Sequence, residues 1–366
     1  MMRRLSLLSG LAILAVVSNH AAGWGYVAMF WWTDRYRPVT VPNYEQLGSL
    51  PYYALLAIRQ LAVFAVPAFL FVSGFFIAFS ARGNHPTLNW KVVKVRLADI
   101  LIPFFVWSVV FLLVDSFIGD KRSPVTYLYQ VLYGFSPYFY IPLVCQFYLL
   151  SPFLVSAAKT RGRLLLLICG IVQLSLVLVK YPSLFGVQAA SLDLINTLPA
   201  SLFINWIFFF ALGLVASFNS DQFRQHLGQL KWALLAAVIV LGLLAIAEPE
   251  MIYRATGIDW RGGVATASTN LYAVAFVLCF LAFDKIQVPL SNLMAQFGSR
   301  IYGIYLVHPQ VLTLVAKAVY HFVPGLLASQ ILFQPLLVIS GLATPLLLMA
   351  AVARSPARRT FRYLFG

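Results

Sequence analysis

Acidic side chains are scarce in this chain. Eleven Asp and Glu stand against 26 Lys and Arg in 366 residues, and charged residues of both signs make up only 10%. Soluble globular domains carry about a quarter of their residues as charges, so this deficit excludes that class. Cysteine is nearly missing. Cys145, Cys169 and Cys279 each lie in an apolar run, without redox or metal-ligand spacing, and read as packed thiols. There is no glycine-rich phosphate loop, which excludes a nucleotide-cleaving motor of that kind. No cluster of His, Cys or carboxylates has metal-ligand spacing, so no metal is expected. No Ser-His-Asp order can be supported from spacing. The period-2 alternation of a membrane barrel is absent.

What the chain has instead is apolar length. Hydrophobic residues reach 61% and the mean hydropathy is +0.85. A hydrocarbon layer of about 30 Å needs roughly 20 apolar residues per crossing. Backbone polar groups in lipid must pair within their own segment, so each run is expected to be a helix. The runs predict an all-α integral membrane protein of about ten transmembrane helices, forming one domain over 1–366. They fall near 5–22, 56–80, 99–118, 138–157, 164–181, 200–217, 232–248, 269–284, 301–320 and 333–353.

A net charge of +15 raises nucleic acid as a partner, but the basic residues sit in short clusters between apolar runs and form no soluble basic domain. They read as positive-inside topology signals. One set of alternate loops holds only Arg35, Arg37, Lys121, Arg122, Lys180, Arg254 and Arg261; Arg59 and Lys317 fall inside helices, and the other seventeen lie on the opposite side. This asymmetry places both termini in the cytoplasm, in keeping with an even number of passes. MMRR followed by an apolar run and SNHAAG also has the look of a cleaved signal peptide, but the ten-pass charge count favours a retained helix. The stretch 23–55 is rich in Trp, Tyr and Pro, which suits an interfacial aromatic belt or a platform for sugar rings.

Several groups inside the apolar runs are candidates for chemistry. His20 lies about 22 Å along its helix at 1.5 Å per residue. Buried ionisable groups in membranes are costly and face cavities, and a histidine exchanges a proton near neutral pH. The alternative is an interfacial ring beside Asn19. Ser73-Gly74 interrupts PAFLFVSGFFIAF, either for close helix packing or to open the backbone toward a ligand. Arg59 needs a counter-charge, for which Asp115 is at comparable depth. Lys91 and Lys94, with Arg96 nearby, form a topology anchor or a dock for a phosphorylated ligand. Tyr302, Tyr305 and His308 recur at i,i+3 spacing, lining a cavity or a helix–helix hydrogen-bond network.

Together these stretches resemble the membrane acyltransferase-3 family. SGLAILAVVSNH is similar to its first-helix signature, VPAFLFVSGFFI to its second-helix pattern and KVRLADILIPFFVW to the basic start of its third helix. FYLLSPFLV and SRIYGIYLVHPQVL match a fourth-helix segment and a late Tyr-x-x-Tyr-Leu-x-His stretch. The matches run the length of the chain in order. The resemblance implies an O-acyltransferase with acetyl-coenzyme A, or another acyl-coenzyme A, as cytoplasmic donor substrate and no permanent cofactor. It implies a carbohydrate or glycolipid acceptor reached from the outer side of the membrane, which is the plasma membrane if the source is bacterial, and His20 as the essential histidine. Arg4 matches the upstream arginine of the signature, while Ser9 stands where the family carries another and Ser6 replaces an acidic residue. In this reading Arg4, Ser73, Gly74, Lys91, Lys94 and Arg96 bind the donor, and Arg59, Asp115, Tyr305 and His308 face the acceptor. An exporter or a non-catalytic membrane subunit for a glycan is the competing expectation.

Overall fold

The computed structural model describes residues 2–83, 87–118, 123, 125–126, 138–187, 195, 197–257, 266–287 and 289–366. All regular structure among them is helical. The principal helices are α1 (Met2–Tyr26), α2 (Leu50–Leu61), α3 (Ala65–Ser80), α4 (Trp90–Ile118), α5 (Tyr140–Leu178), α6 (Ile207–Phe218), α7 (Ser220–Thr256), α8 (Ala267–Ala282), α9 (Ser291–Ser299), α10 (Ile301–Phe322), α11 (Gln330–Arg354) and α12 (Phe361–Phe365).

Six helical stretches are long and apolar enough to cross a membrane: Met2–Trp31, Leu50–Ser80, Trp90–Val114, Tyr140–Leu184, Ser220–Thr256 and Gln330–Arg354. Ile207–Phe218 and Ala267–Ala282 are apolar but shorter. The protein is therefore a multi-pass integral membrane protein. Leu, Ile, Val and Phe side chains on α4, α5 and α7 are exposed to whatever surrounds the helices, and lipid is the solvent such surfaces require.

Local chemistry explains where the helices depart from the predicted bounds. The run 56–80 is divided by a 3-10 turn at Ala62–Phe64. Pro67 follows it, and a proline has no N–H to give to the carbonyl four residues back. Helix α4 starts at Trp90, ahead of the predicted 99, because Asn89 Oδ1 accepts the Lys91 N–H at 2.8 Å. Lys91, Lys94 and Arg96 thus stand on its first turns. Helix α5 covers two predicted passes. Its 39 residues would reach about 58 Å if straight, and it bends at Arg161, where φ is −139° and ψ 49°. Helix α7 runs past the predicted 248 and ends at Gly257, whose φ of 69° is the left-handed conformation that suits a helix terminus. Helix α6 begins late, at Ile207, after a 3-10 turn at Phe203–Asn205.

The chain forms two compact units. The first comprises residues 1–8, 66–101 and 122–289. Within it α3 and α6 cross in near backbone contact. A Cβ on Gly74 would fall 2.3 Å from the Phe210 carbonyl oxygen, and one on Gly213 would fall 2.1 Å from that of Phe71. Small residues at such crossings are how membrane helices approach closely. Glutamines tie α5 to α6 and its approach. Gln146 receives the Phe203 N–H at 3.1 Å and donates to the Ser201 carbonyl at 2.7 Å. Gln173 receives the Phe208 N–H at 3.0 Å and donates to Asn270 of α8 at 3.1 Å. Thr266 and Thr269 form a capping box that starts α8.

The second unit comprises residues 9–65, 102–121 and 290–366. Its core gathers Ala21, Ala28, Leu312, Ala316, Leu327, Phe333 and Leu337 from α1, α10, α11 and their connections. Gly341 of α11 lies against Val17 and Leu312. Beyond His20 the chain enters an aromatic cluster: Trp24 and Trp32 are 5.3 Å apart, Trp32 and Tyr320 4.7 Å, and Arg35 lies 4.8 Å over the Tyr320 ring. The aromatic loop thus packs much of its Trp and Tyr content against its own unit.

Candidate active site

In the second unit α1 carries His20, α2 carries Arg59, and α10 carries Tyr305 and His308. The rings of His20 and His308 are 5.4 Å apart at their centroids, tilted by 41°. Tyr305 adds a third ring 5.9 Å from His308. His20 is half-buried, Tyr305 is buried, and His308 has no exposed surface at all. Arg59 points across to Tyr26 of α1, its guanidinium carbon 5.7 Å from the ring centroid. Asp115 is on α4, but its side chain lies outside the described residues. Tyr302 is half-buried one turn before Tyr305.

Sequence dictates how His308 sits. Its Nδ1 is 3.0 Å from the Ile304 carbonyl oxygen, one helical turn back. A carbonyl only accepts, so Nδ1 carries the proton of that contact. Pro309 is the next residue and has no N–H for the Tyr305 carbonyl, which leaves this turn of α10 open to side-chain bonding. The other ring nitrogen, Nε2, is buried without a hydrogen-bond partner among the described residues.

The donor-side candidates lie in the first unit. Lys91 and Lys94 are exposed and Arg96 is half-buried at the start of α4. Arg96 reaches Ser80 Oγ at 3.5 Å. Ser73 pairs with the Tyr140 hydroxyl at 3.3 Å, and Gly74 is the packing glycine already described. Arg4 is buried. It donates to the carbonyls of Phe283 and Ile286, the former a very short contact, and lies 4.7 Å over the Phe280 ring. It thereby adds a side-chain donor to carbonyls just past α8, where the Phe283 carbonyl also accepts the Ile286 N–H at 3.1 Å. Arg4, Arg224, Leu227, Leu281 and Asp284 line a small cavity. Arg224 bridges Asp284 at 2.7 Å. That bond, aided by the charges of Arg224, Lys285 and Arg4, holds the Asp284 carboxyl below the usual aspartate range despite its partial desolvation.

Three features were not among the sequence candidates. Arg82 donates to the Ser217 carbonyl at 2.8 Å. Lys159 donates to the Ala81 and Gly83 carbonyls at 2.7 and 3.4 Å, closing the C-terminal end of α3. Glu248 of α7 accepts from the hydroxyls of Tyr181 and Ser268, and from the Ser268 N–H at 3.0 Å. Tyr181 in turn accepts the Ala267 N–H at 2.7 Å. Glu248 is one of only eleven carboxylates and ends an apolar run, a signal that could have marked it. No group of three or more His, Cys, Asp or Glu suited to a metal occurs among the described residues.

These features define a polytopic helical membrane protein with a histidine pair, one ring of it fully buried, in one unit and a basic helix start in the other. Residues 3–350 match the profile of the acyltransferase-3 family, described as an acyltransferase domain, and the chain belongs to that family. It is similar to a protein of Staphylococcus aureus named a probable poly-beta-1,6-N-acetyl-D-glucosamine export protein, with 22% identity over 70% of this chain and 71% of the relative. It is also similar to a putative membrane-bound acyltransferase of Bacillus subtilis, YfiQ, with 25% identity over 68% of each chain. No solved structure matches the chain.

Proposed function

We propose that this protein is an O-acyltransferase that moves an acyl group, acetyl by default, from cytoplasmic acyl-coenzyme A to a hydroxyl of a carbohydrate or glycolipid at the outer side of a bacterial plasma membrane. In this reading both termini are cytoplasmic. Family membership supports the transfer, and the polysaccharide in the name of the staphylococcal relative supports the acceptor class. The observation that carries the reading is the histidine pair on α1 and α10, set among apolar helices.

The chemistry asked of His20 is general-base catalysis. Its bare ring nitrogen takes the proton of the acceptor hydroxyl as the oxygen attacks the thioester carbonyl. The thiolate of coenzyme A leaves and receives that proton from the His20 imidazolium, which restores the base. A variant of the same path has His20 accept the acyl group first and pass it on. Tyr305 and Arg59 orient the acceptor in this scheme. Lys91, Lys94 and Arg96 bind donor phosphates, where guanidinium and ammonium groups are matched to phosphate oxygens.

The test is transfer from radiolabelled acetyl-coenzyme A by purified protein in liposomes supplied with crude surface glycans. His20→Ala is expected to lose turnover while keeping the helical circular dichroism and melting behaviour of the wild type. Full turnover in that variant removes His20 from the mechanism. The export reading is favoured by the name of the staphylococcal relative. It predicts glycan movement across the liposome membrane with no acyl turnover from the wild type.

A further inference from the structure

We infer that His308 is a positioning residue for His20, its buried Nε2 accepting the N–H of the His20 ring and so fixing which nitrogen of His20 is left bare. This deepens the proposed function, because it assigns a role to a second residue of the same site.

The argument begins with the orphan atom. Nε2 of His308 is buried and has no hydrogen-bond partner among the described residues. A buried polar atom without a partner costs about 1 to 3 kcal/mol, so such an atom calls for an explanation. Its counterpart Nδ1 is committed as donor to the Ile304 carbonyl at 3.0 Å. In a neutral ring with Nδ1 protonated, Nε2 is an acceptor and nothing else. The group it needs is therefore a donor.

The ring beside it is that of His20, with centroids 5.4 Å apart. Subtracting two imidazole radii leaves about 3 Å between facing nitrogens, which is hydrogen-bond range once the rings turn toward one another. Such bonds are often long in an empty site and tighten when substrate is bound. Of the aromatic and cationic groups around it, the His20 ring is the nearest. Arg59 lies over Tyr26, and the ring of Tyr305 is farther from His308, at 5.9 Å between centroids, than that of His20. The α10 backbone around His308 is helical, so its N–H groups point back along the helix.

The chemical consequence concerns which nitrogen of His20 is the base. An imidazole has two nitrogens, and the hydrogen bond made by one decides the protonation of the other. With one N–H given to His308, the opposite nitrogen of His20 keeps its lone pair for the acceptor hydroxyl. When His20 takes that proton, the positive charge is shared along an N–H···N bond in an apolar setting. His308 thus holds the base in its reactive tautomer without touching substrate. A serine hydrolase uses a carboxylate for the equivalent task; here a neutral acceptor does it without placing a net negative charge within the helices.

The experiment is solid-state nuclear magnetic resonance of the full chain in lipid vesicles, labelled with 15N-histidine, with His20→Gln to assign the His20 signals. In the wild type we expect His308 protonated on Nδ1 alone and His20 in a single tautomer, coupled through its N–H to His308. In His308→Phe, which removes the acceptor and keeps an aromatic ring, His20 is expected to become a mixture of tautomers. Turnover of acetyl-coenzyme A in that variant is expected to fall by about 10- to 100-fold in kcat with KM for the donor unchanged, below the full effect of losing a general base. His308→Gln, whose side-chain carbonyl can accept, is expected to recover most of that loss. A single, unchanged His20 tautomer in His308→Phe overturns the inference, as does a proton on His308 Nε2 in the wild type. The tautomer result stands whether or not the wild type turns over acetyl-coenzyme A, so failure of the inference is distinct from failure of the proposed function. Should His308→Phe not fold, the wild-type spectrum and the Gln variant decide.

Discussion

Single side chains in this protein are held by helix ends as often as by one another. Arg4 donates to carbonyls beyond α8, Lys159 closes α3, and Arg224 is spent on Asp284. The Arg224–Asp284 pair lets a sign be worked out. Asp284 is depressed in the folded protein, so its contribution to stability is present above the unfolded aspartate value and disappears as pH falls through the folded one. Its side chain is 32% exposed and that of Arg224 52%, so solvent screens the pair. Asp284→Asn is expected to cost less than about 1 kcal/mol near pH 7. The difference from wild type should begin to shrink near pH 4, the ordinary aspartate range, and vanish only once the pH has fallen below the depressed folded value. Melting curves across that range measure it. The two histidines belong to the same scale. Each was legible from sequence as an ionisable residue inside an apolar run. Their adjacency was not, because spacing along the chain does not report which helices lie side by side.

At the scale of helices, two junctions carry the packing of the first unit. The Gly74–Phe210 and Gly213–Phe71 approaches leave no room for a side chain. Gly74→Val is expected to lower stability by about 1 to 3 kcal/mol, through forced separation of α3 and α6, and to reduce the yield of folded protein in detergent. The sequence left Ser73-Gly74 open between packing and ligand access; the contact with Phe210 places Gly74 in the packing. The second junction is Glu248, which joins α7 to the first turn of α8. Glu248→Ala leaves the Ser268 N–H and two hydroxyls without their acceptor, a loss of about 2 to 4 kcal/mol. A thermal melt is expected to register it, with Glu248→Gln falling between Ala and wild type. The rarity of carboxylates could have marked Glu248, but not its partners, since a carboxylate at the end of an apolar run reads as a loop boundary until they are known. Helix bounds were missed at Asn89 and Gly257, which cap α4 and α7 beyond the ends of their apolar runs. They were predicted poorly where a polar stretch continues the helix, as in the first turns of α7.

For the whole molecule, the decisive property is the uneven distribution of cations over the two sets of loops. The proposed function takes both termini as cytoplasmic, an orientation that site-directed labelling can read. Ser355→Cys is expected to react with an impermeant maleimide only from the cytoplasmic side, and Glu45→Cys only from the outside; the reverse pattern overturns the topology. Background should be low, since Cys169 and Cys279 are buried and Cys145 is half-buried. Membership of the membrane class was legible from composition alone, because scarcity of charge and apolar run length are global quantities. The division into two compact units was not, because both units draw on segments from distant parts of the chain.

The aromatic cluster beyond His20 has a further use. Trp24 stands one helical turn from His20, and its ring is 5.3 Å from that of Trp32. Two indoles at that separation couple their excited states, so the pair absorbs circularly polarised near-ultraviolet light as a unit rather than as two separate chromophores. Any molecule that enters beside His20 and turns either indole changes that signal without a label, which gives this protein an optical gauge of occupancy built into its own helix.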